Sequence, residues 1–121
     1  MPRTYAKSTE TSFGFDTGIP PVVEIVARVA RRLWPVKTAR NLAMRTGKNH
    51  RSAEDWLALR TGMSADALAE LLRSDVGWDV LDAIMEGSGA SWWPKARRDL
   101  KAAQIERRID ALKEELRREL D

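Results

Sequence analysis

Between residues 42 and 56 the chain reads Leu42-Ala43-Met44-Arg45-Thr46-Gly47-Lys48-Asn49-His50-Arg51-Ser52-Ala53-Glu54-Asp55-Trp56. Few folds accept such a stretch. Gly47, four residues after Ala43, has no Cβ to oppose the left-handed backbone that ends a helix. The Ser52 hydroxyl is placed to cap a second helix, with Asp55 three residues on in a variant of the capping box. Ala43 is small enough to let two short helices cross closely at a sharp angle. Two helices joined by a tight turn are therefore predicted, and the rest of the chain is read around them.

Upstream, Pro20-Pro21 suits a helix start, where a missing N–H costs nothing. Val22, Val26, Val29 and Leu33 follow at helical spacing, widened by Val23, Ile25, Ala30 and Trp34, and Pro35 stops the helix. Thr38 is read as the cap of the next helix, which runs to Thr46 and buries Ala39, Leu42 and Ala43. The third spans Ser52 to about Arg60, with Ala53, Trp56 and Leu57 inward, and Gly62 ends it. Ser64 with Asp66 begins a fourth that presents Leu68, Leu71 and Leu72. Ser74 or Asp75 opens a fifth carrying Trp78, Leu81, Ile84 and Met85, closed by Gly87-Ser88-Gly89. Nothing between Pro20 and Gly89 alternates with period two, so the predicted class is all-α.

The predicted organisation is a flexible arm over residues 1–19, five short helices around one core over 20–89, and a long charged helix over 90–121. In the arm only Tyr5, Phe13, Phe15 and Ile19 are large and apolar, and Arg3 and Lys7 are its only cations. The last segment opens on Trp92-Trp93-Pro94, with Pro94 tolerated in a first turn. Ala102, Ile105, Ile109, Leu112 and Leu116 then recur at spacings of 3, 4, 3 and 4, a heptad stripe. Arg108 and Glu115 fall at flanking g positions, Glu106 and Lys113 at e positions. Trp92, Trp93, Ile105, Ile109, Leu112 and Leu116 are thus the self-association candidates, in a coiled coil of about two and a half heptads. The alternative is a helix folded back on its own domain.

The net charge of +3 hides an asymmetry. Nine Lys/Arg against two Asp/Glu between Arg28 and Arg60 leave a local balance of +7. One Arg against six Asp/Glu between Gly62 and Ser91 leaves −5. Such a molecule draws a polyanion to one end, and its acidic 62–91 region would suit a basic protein partner. Solvated helix faces are the plainer explanation of both runs.

The spacing Leu42-Ala43-x-x-x-Gly47, with Trp56 nine residues later, resembles the DNA-binding unit of the λ-repressor/Cro-like helix-turn-helix family over about residues 22–86. The resemblance implies a compact five-helix domain whose second motif helix enters the major groove of double-stranded DNA. By position, Asn49, His50, Arg51, Glu54 and Asp55 would face base edges. Arg51 would take guanine O6 and N7, Asn49 adenine N6 and N7 or a phosphate, and Glu54 a cytosine amino group. Thr38, Arg40, Arg45 and Lys48 would meet the sugar-phosphate backbone. It implies a transcriptional regulator acting as a homodimer in a bacterial or phage-like cytoplasm. The alternatives are a higher oligomer resembling phage small-terminase packaging subunits, and a protein-binding adaptor on the same scaffold.

Three features depart from the family pattern. Lys48 stands where a small aliphatic residue commonly packs the turn. Gly62 comes about three residues later than the family's Trp-x-x-Gly spacing places its glycine. Glu54 and Asp55 put two negative charges at the end meant to face DNA, although acids in a first turn favour the helix dipole by about 0.3–1 kcal/mol each.

Other chemistries find little footing. His50 is the only histidine and there is no cysteine, so no His or thiolate metal cluster is expected. The acids Asp66, Glu70, Asp75, Asp79, Asp82 and Glu86 follow helix faces and form no convergent pair, and no phosphate loop follows a strand. No enzyme activity, cofactor or membrane span is predicted, and no signal-peptide pattern is read at the N-terminus.

Overall fold

Pro21 stands as the N-cap of the first helix, and its carbonyl accepts from the N–H groups of Glu24 and Ile25 at 3.0 and 3.2 Å. The computed structural model describes residues 20–121, so the arm expected over 1–19 lies outside the described residues. Six helices follow: α1 Val22–Leu33, α2 Thr38–Thr46, α3 His50–Leu57, α4 Ala65–Arg73, α5 Gly77–Met85 and α6 Trp93–Leu120. No strand occurs among the described residues. The chain is all-α, and it divides between Ile84 and Met85 into two compact units.

In the first unit α2 packs against α3 and α4, and α1 packs against α3 and α2. The core joins Val26, Val29 and Ala30 of α1, Leu42 of α2, Ala53 and Trp56 of α3, Ala67 and Leu71 of α4, with Val76 and Val80. These are the apolar positions at helical spacing, buried because one stripe of each helix must leave water. The buried Thr46 donates its hydroxyl to the Leu42 carbonyl at 2.9 Å, so it enters the core without an orphaned donor.

Local capping differs from expectation in several places. The α3 helix begins at His50, because the Asn49 side chain accepts from the Ser52 N–H at 2.7 Å and acts as its N-cap. Ser52 therefore lies inside the first turn. The same helix ends at Leu57, not near residue 60. Its exit is a Schellman motif: the Leu59 N–H bonds to Trp56 O and the Arg60 N–H to Asp55 O, at 3.0 and 2.8 Å. Leu59, not Gly62, takes the left-handed backbone there, with φ +58°. From α1, Arg31 Nη2 donates to the Leu57 carbonyl at 3.0 Å and satisfies one more of that helix's open acceptors.

Thr38 is the first residue of α2 and not its cap; Lys37, left-handed at φ +59°, holds the N-cap position. Ser64 caps α4 as expected, accepting from the Ala67 N–H at 3.1 Å. Ser74 closes α4 instead of opening α5, its hydroxyl donating to Leu71 O at 2.6 Å. In α5 the buried side is set by Val80, with Val76 buried just before the helix and Ala83 and Ile84 packed alongside, while Trp78, Leu81 and Met85 stay half-buried. Gly77 forces this register, since a Cβ there would lie 2.0 Å from the Leu72 carbonyl oxygen.

The second unit is dominated by α6, 28 residues with Pro94 in its first turn. Trp93 is buried and Trp92 exposed, their rings meeting edge to face with centroids 5.9 Å apart. Ile105, Ile109, Leu112 and Leu116 are all exposed, between 45% and 58%. No helix among the described residues is long and apolar enough to cross a membrane.

Candidate nucleic-acid interface

Residues 47–49 join α2 to α3. Gly47 turns the chain at φ +71°, its N–H bonding back to Ala43 O at 3.0 Å, and Asn49 starts the next helix two residues later. A tight turn of this kind needs a left-handed residue at the helix end and a capping acceptor at the next start. Gly47 and Asn49 supply them.

The cations of this region fall into two groups. Arg45 belongs to the fold. Its Nε and Nη2 bind the two Asp75 carboxylate oxygens at 2.8 and 3.2 Å, and Nη1 reaches Asn41 O and Oδ1 at 3.2 and 3.1 Å. Its guanidinium also lies 4.5 Å from the centroid of the Trp34 ring. Arg45, expected at a phosphate, is thus committed to joining α2, the segment before α5 and Trp34. The hydrogen bond from Arg45 holds the Asp75 carboxyl below its ordinary range, against a small opposing effect of burial. Arg60 likewise binds Asp55, with Nε and Nη2 at 2.9 and 2.8 Å from Oδ1.

The second group faces solvent. Among the described residues Lys37, Arg40 and Lys48 are exposed and make no hydrogen bond or ion pair of their side chains. Arg51 is 80% exposed and reaches Asp55 only at 3.6 Å. The exposed positions of α2 and its ends, 37, 40, 44 and 48, recur every three or four residues and lie on one side of that helix. Lys37, missed in the sequence, belongs to this strip; its spacing of three from Arg40 was the available signal. On α3 and its C-cap the exposed positions 50, 51, 54 and 58 form a second face carrying His50, Arg51 and Glu54.

The remaining candidates are placed as follows. Asn49 commits Oδ1 to its cap, leaving its two Nδ2 hydrogens to donate. It can therefore hold a phosphate, but a bidentate grip on adenine would break the cap. Thr38 donates its hydroxyl to the Trp34 carbonyl and keeps only lone pairs for a ligand. His50 Nε2 lies 3.4 Å from Glu54 Oε2, so that acid sits beside a neighbouring donor. Asp55 is largely enclosed by its arginines and lies toward the fold, which accounts for one of the two negative charges at this end. What is left at the surface is a set of exposed cations and amide donors beside a helix start.

Leu59, left-handed, stands three residues after Trp56, the place the family pattern gives to glycine. In the second unit Ile105, Ile109, Leu112 and Leu116 share one exposed stripe of α6, with Trp92 exposed and Trp93 buried at its start. Compared with known proteins, the chain matches no family model, no curated protein and no solved structure.

Proposed function

We propose that this chain is a DNA-binding protein, a transcriptional regulator that uses α2, the turn and α3 as a helix-turn-helix and pairs with a second copy through α6. One observation carries the reading. Where Arg31, Arg45 and Arg60 are held by contacts within the fold, Lys37, Arg40 and Lys48 along one side of α2 and Arg51 at the start of α3 extend into solvent. In this reading Lys37, Arg40 and Lys48 neutralise phosphates and fix the register, and Arg51, in the first turn of α3, reaches a guanine edge. Asn49 and His50 add donors to phosphate. No reacting group is required, so the role is binding and not catalysis.

The test is binding of the full chain to random duplex DNA, titrated over about 50 to 200 mM salt. Three phosphate-neutralising cations give a log–log slope of about −2.7 per subunit. A flat slope with no binding overturns the reading. Glu54→Lys separates it from a protein adaptor on the same scaffold. Glu54 is half-exposed, with its carboxylate 3.4 Å from His50 Nε2, so reversing it tightens nonspecific DNA binding without disturbing the core; an interface built on that acid would instead be lost.

A further inference from the structure

We infer that α6 pairs with α6 of a second copy in an antiparallel orientation, with Ile109 of each copy level with Leu112 of the other. The inference rests on the self-association proposed above and goes beyond it by assigning direction and register.

The apolar stripe of α6 lies in solvent along its whole length. Some charges on the other faces are tied to neighbours: Lys95 to Asp99 at 2.9 Å, Arg117 to Glu114 at 2.9 Å and Arg118 to Glu114 at 3.9 Å. Glu106, Arg108, Lys113 and Glu115, which border the stripe, have no such partner among the described residues. Their side chains border the exposed residues Ile105, Ile109, Leu112 and Leu116, a surface that water solvates poorly. The stripe and its unpaired border together form one complementary patch, and charge decides what fits it.

With Ala102, Ile109 and Leu116 at a and Ile105, Leu112 and Glu119 at d, the two orientations set different residues against each other. In a parallel pair the g position of one heptad meets the e position of the next. Lys101 then meets Glu106, which attracts, but Arg108 meets Lys113, which repels, on both sides of the pair. Each core layer also faces its own copy, so Glu119 opposes Glu119 at a d position. In an antiparallel pair g meets g and e meets e. Arg108 then meets Glu115 and Glu106 meets Lys113, each twice by symmetry, and all four contacts attract. Ile105 opposes Leu116 and Ile109 opposes Leu112, giving four apolar layers. Glu119 faces the small Ala102, not another acid. All four flanking contacts attract in the antiparallel pair, whereas the parallel pair sets attraction against repulsion, and like charges across such an interface select against it.

Direction has a measurable consequence. At a rise of 1.5 Å per residue, antiparallel pairing in this register puts the two copies of Lys95 about 46 Å apart along the pair. Parallel pairing brings them within about 10 Å between axes. The sequence has no cysteine, so Lys95→Cys in the full chain gives one spin label per copy. A label–label distance near 46 Å is expected. A distance below about 25 Å overturns the orientation and leaves self-association standing, and a chain monomeric throughout overturns both. DNA binding is read separately, by its salt slope.

A charge reversal gives an answer of opposite sign for the two orientations. Arg108→Glu places acid against Glu115 in the antiparallel pair and weakens association by roughly tenfold. In a parallel pair the same change replaces a repulsion with Lys113 by an attraction and tightens it. Arg108→Glu combined with Glu115→Arg restores the antiparallel pair. Tightening by the single change, or no recovery in the double, contradicts the inference.

Discussion

The two units stabilise their polar groups in opposite ways. Between residues 20 and 84 the decisive contacts span long stretches of chain, Arg45 to Asp75 and Arg31 to the Leu57 carbonyl. In α6 they join residues three or four apart, Lys95 with Asp99 and Glu114 with Arg117 and Arg118. The first unit therefore fixes its own shape, and its charges are sorted by that shape into used and unused. The long helix owes little beyond its start to burial, and its apolar stripe lies in solvent. In both places the residues left over after the fold has taken its share are the ones that point to a partner: Lys37, Arg40, Lys48 and Arg51 in one, the bordered stripe in the other.

That contrast breaks most readily at Gly77. A Cβ at this position would overlap the Leu72 carbonyl, so Gly77→Ala should cost about 2–4 kcal/mol in denaturant unfolding of the first unit. A near-neutral result would mean that α4 and α5 do not approach so closely.

Removing the long-range hub comes next. Arg45→Ala loses a bidentate ion pair and the contact with Trp34, together about 1–2 kcal/mol of stability near neutral pH. Asp75 is mostly exposed, so its share is at the low end. Because Arg45 lowers the Asp75 pKa in the folded state, that share is complete above the carboxyl's ordinary value of 3.8. It is lost as pH falls through the lowered value. The gap between wild type and Arg45→Ala should therefore narrow on acidification; a gap that widens would place the stabilisation elsewhere.

A smaller effect locates the end of α3. Leu59→Gly relieves a left-handed side-chain-bearing residue and should stabilise by about 0.5 kcal/mol, while Gly62→Ala should be tolerated, since nothing lies within 4 Å of the added Cβ. The reverse order would return the helix end to Gly62. Least of all, Glu114→Ala on α6 should change unfolding by under about 0.5 kcal/mol, because its pairs are local and solvated.

The helices themselves were legible wherever one apolar stripe met a stop, as at Gly47 and Pro35. The ambiguities arose where two residues competed for one role. Asn49 and Ser52 can both cap, and the Asn49 oxygen reaches the N–H that starts the helix earlier. Gly62 advertised a helix end, but backbone hydrogen bonds placed the left-handed turn on Leu59. In α5 nearly every residue is apolar, so periodicity chose no face, and the close approach at Gly77 did. The candidate site was readable as a basic region around one turn. That Arg45 is withdrawn from it depends on Asp75, thirty positions away, and no local spacing carries that contact.

The most direct test of the central claim compares two salt titrations on the same duplex DNA. Wild type should give the slope of about −2.7 per subunit, and the triple variant Arg40→Ala, Lys48→Ala and Arg51→Ala, which keeps only Lys37 on phosphate, should fall to about −0.9 while unfolding like wild type. A triple variant that keeps the wild-type slope would contradict the assignment of these residues, and a wild type that does not bind would contradict the account itself.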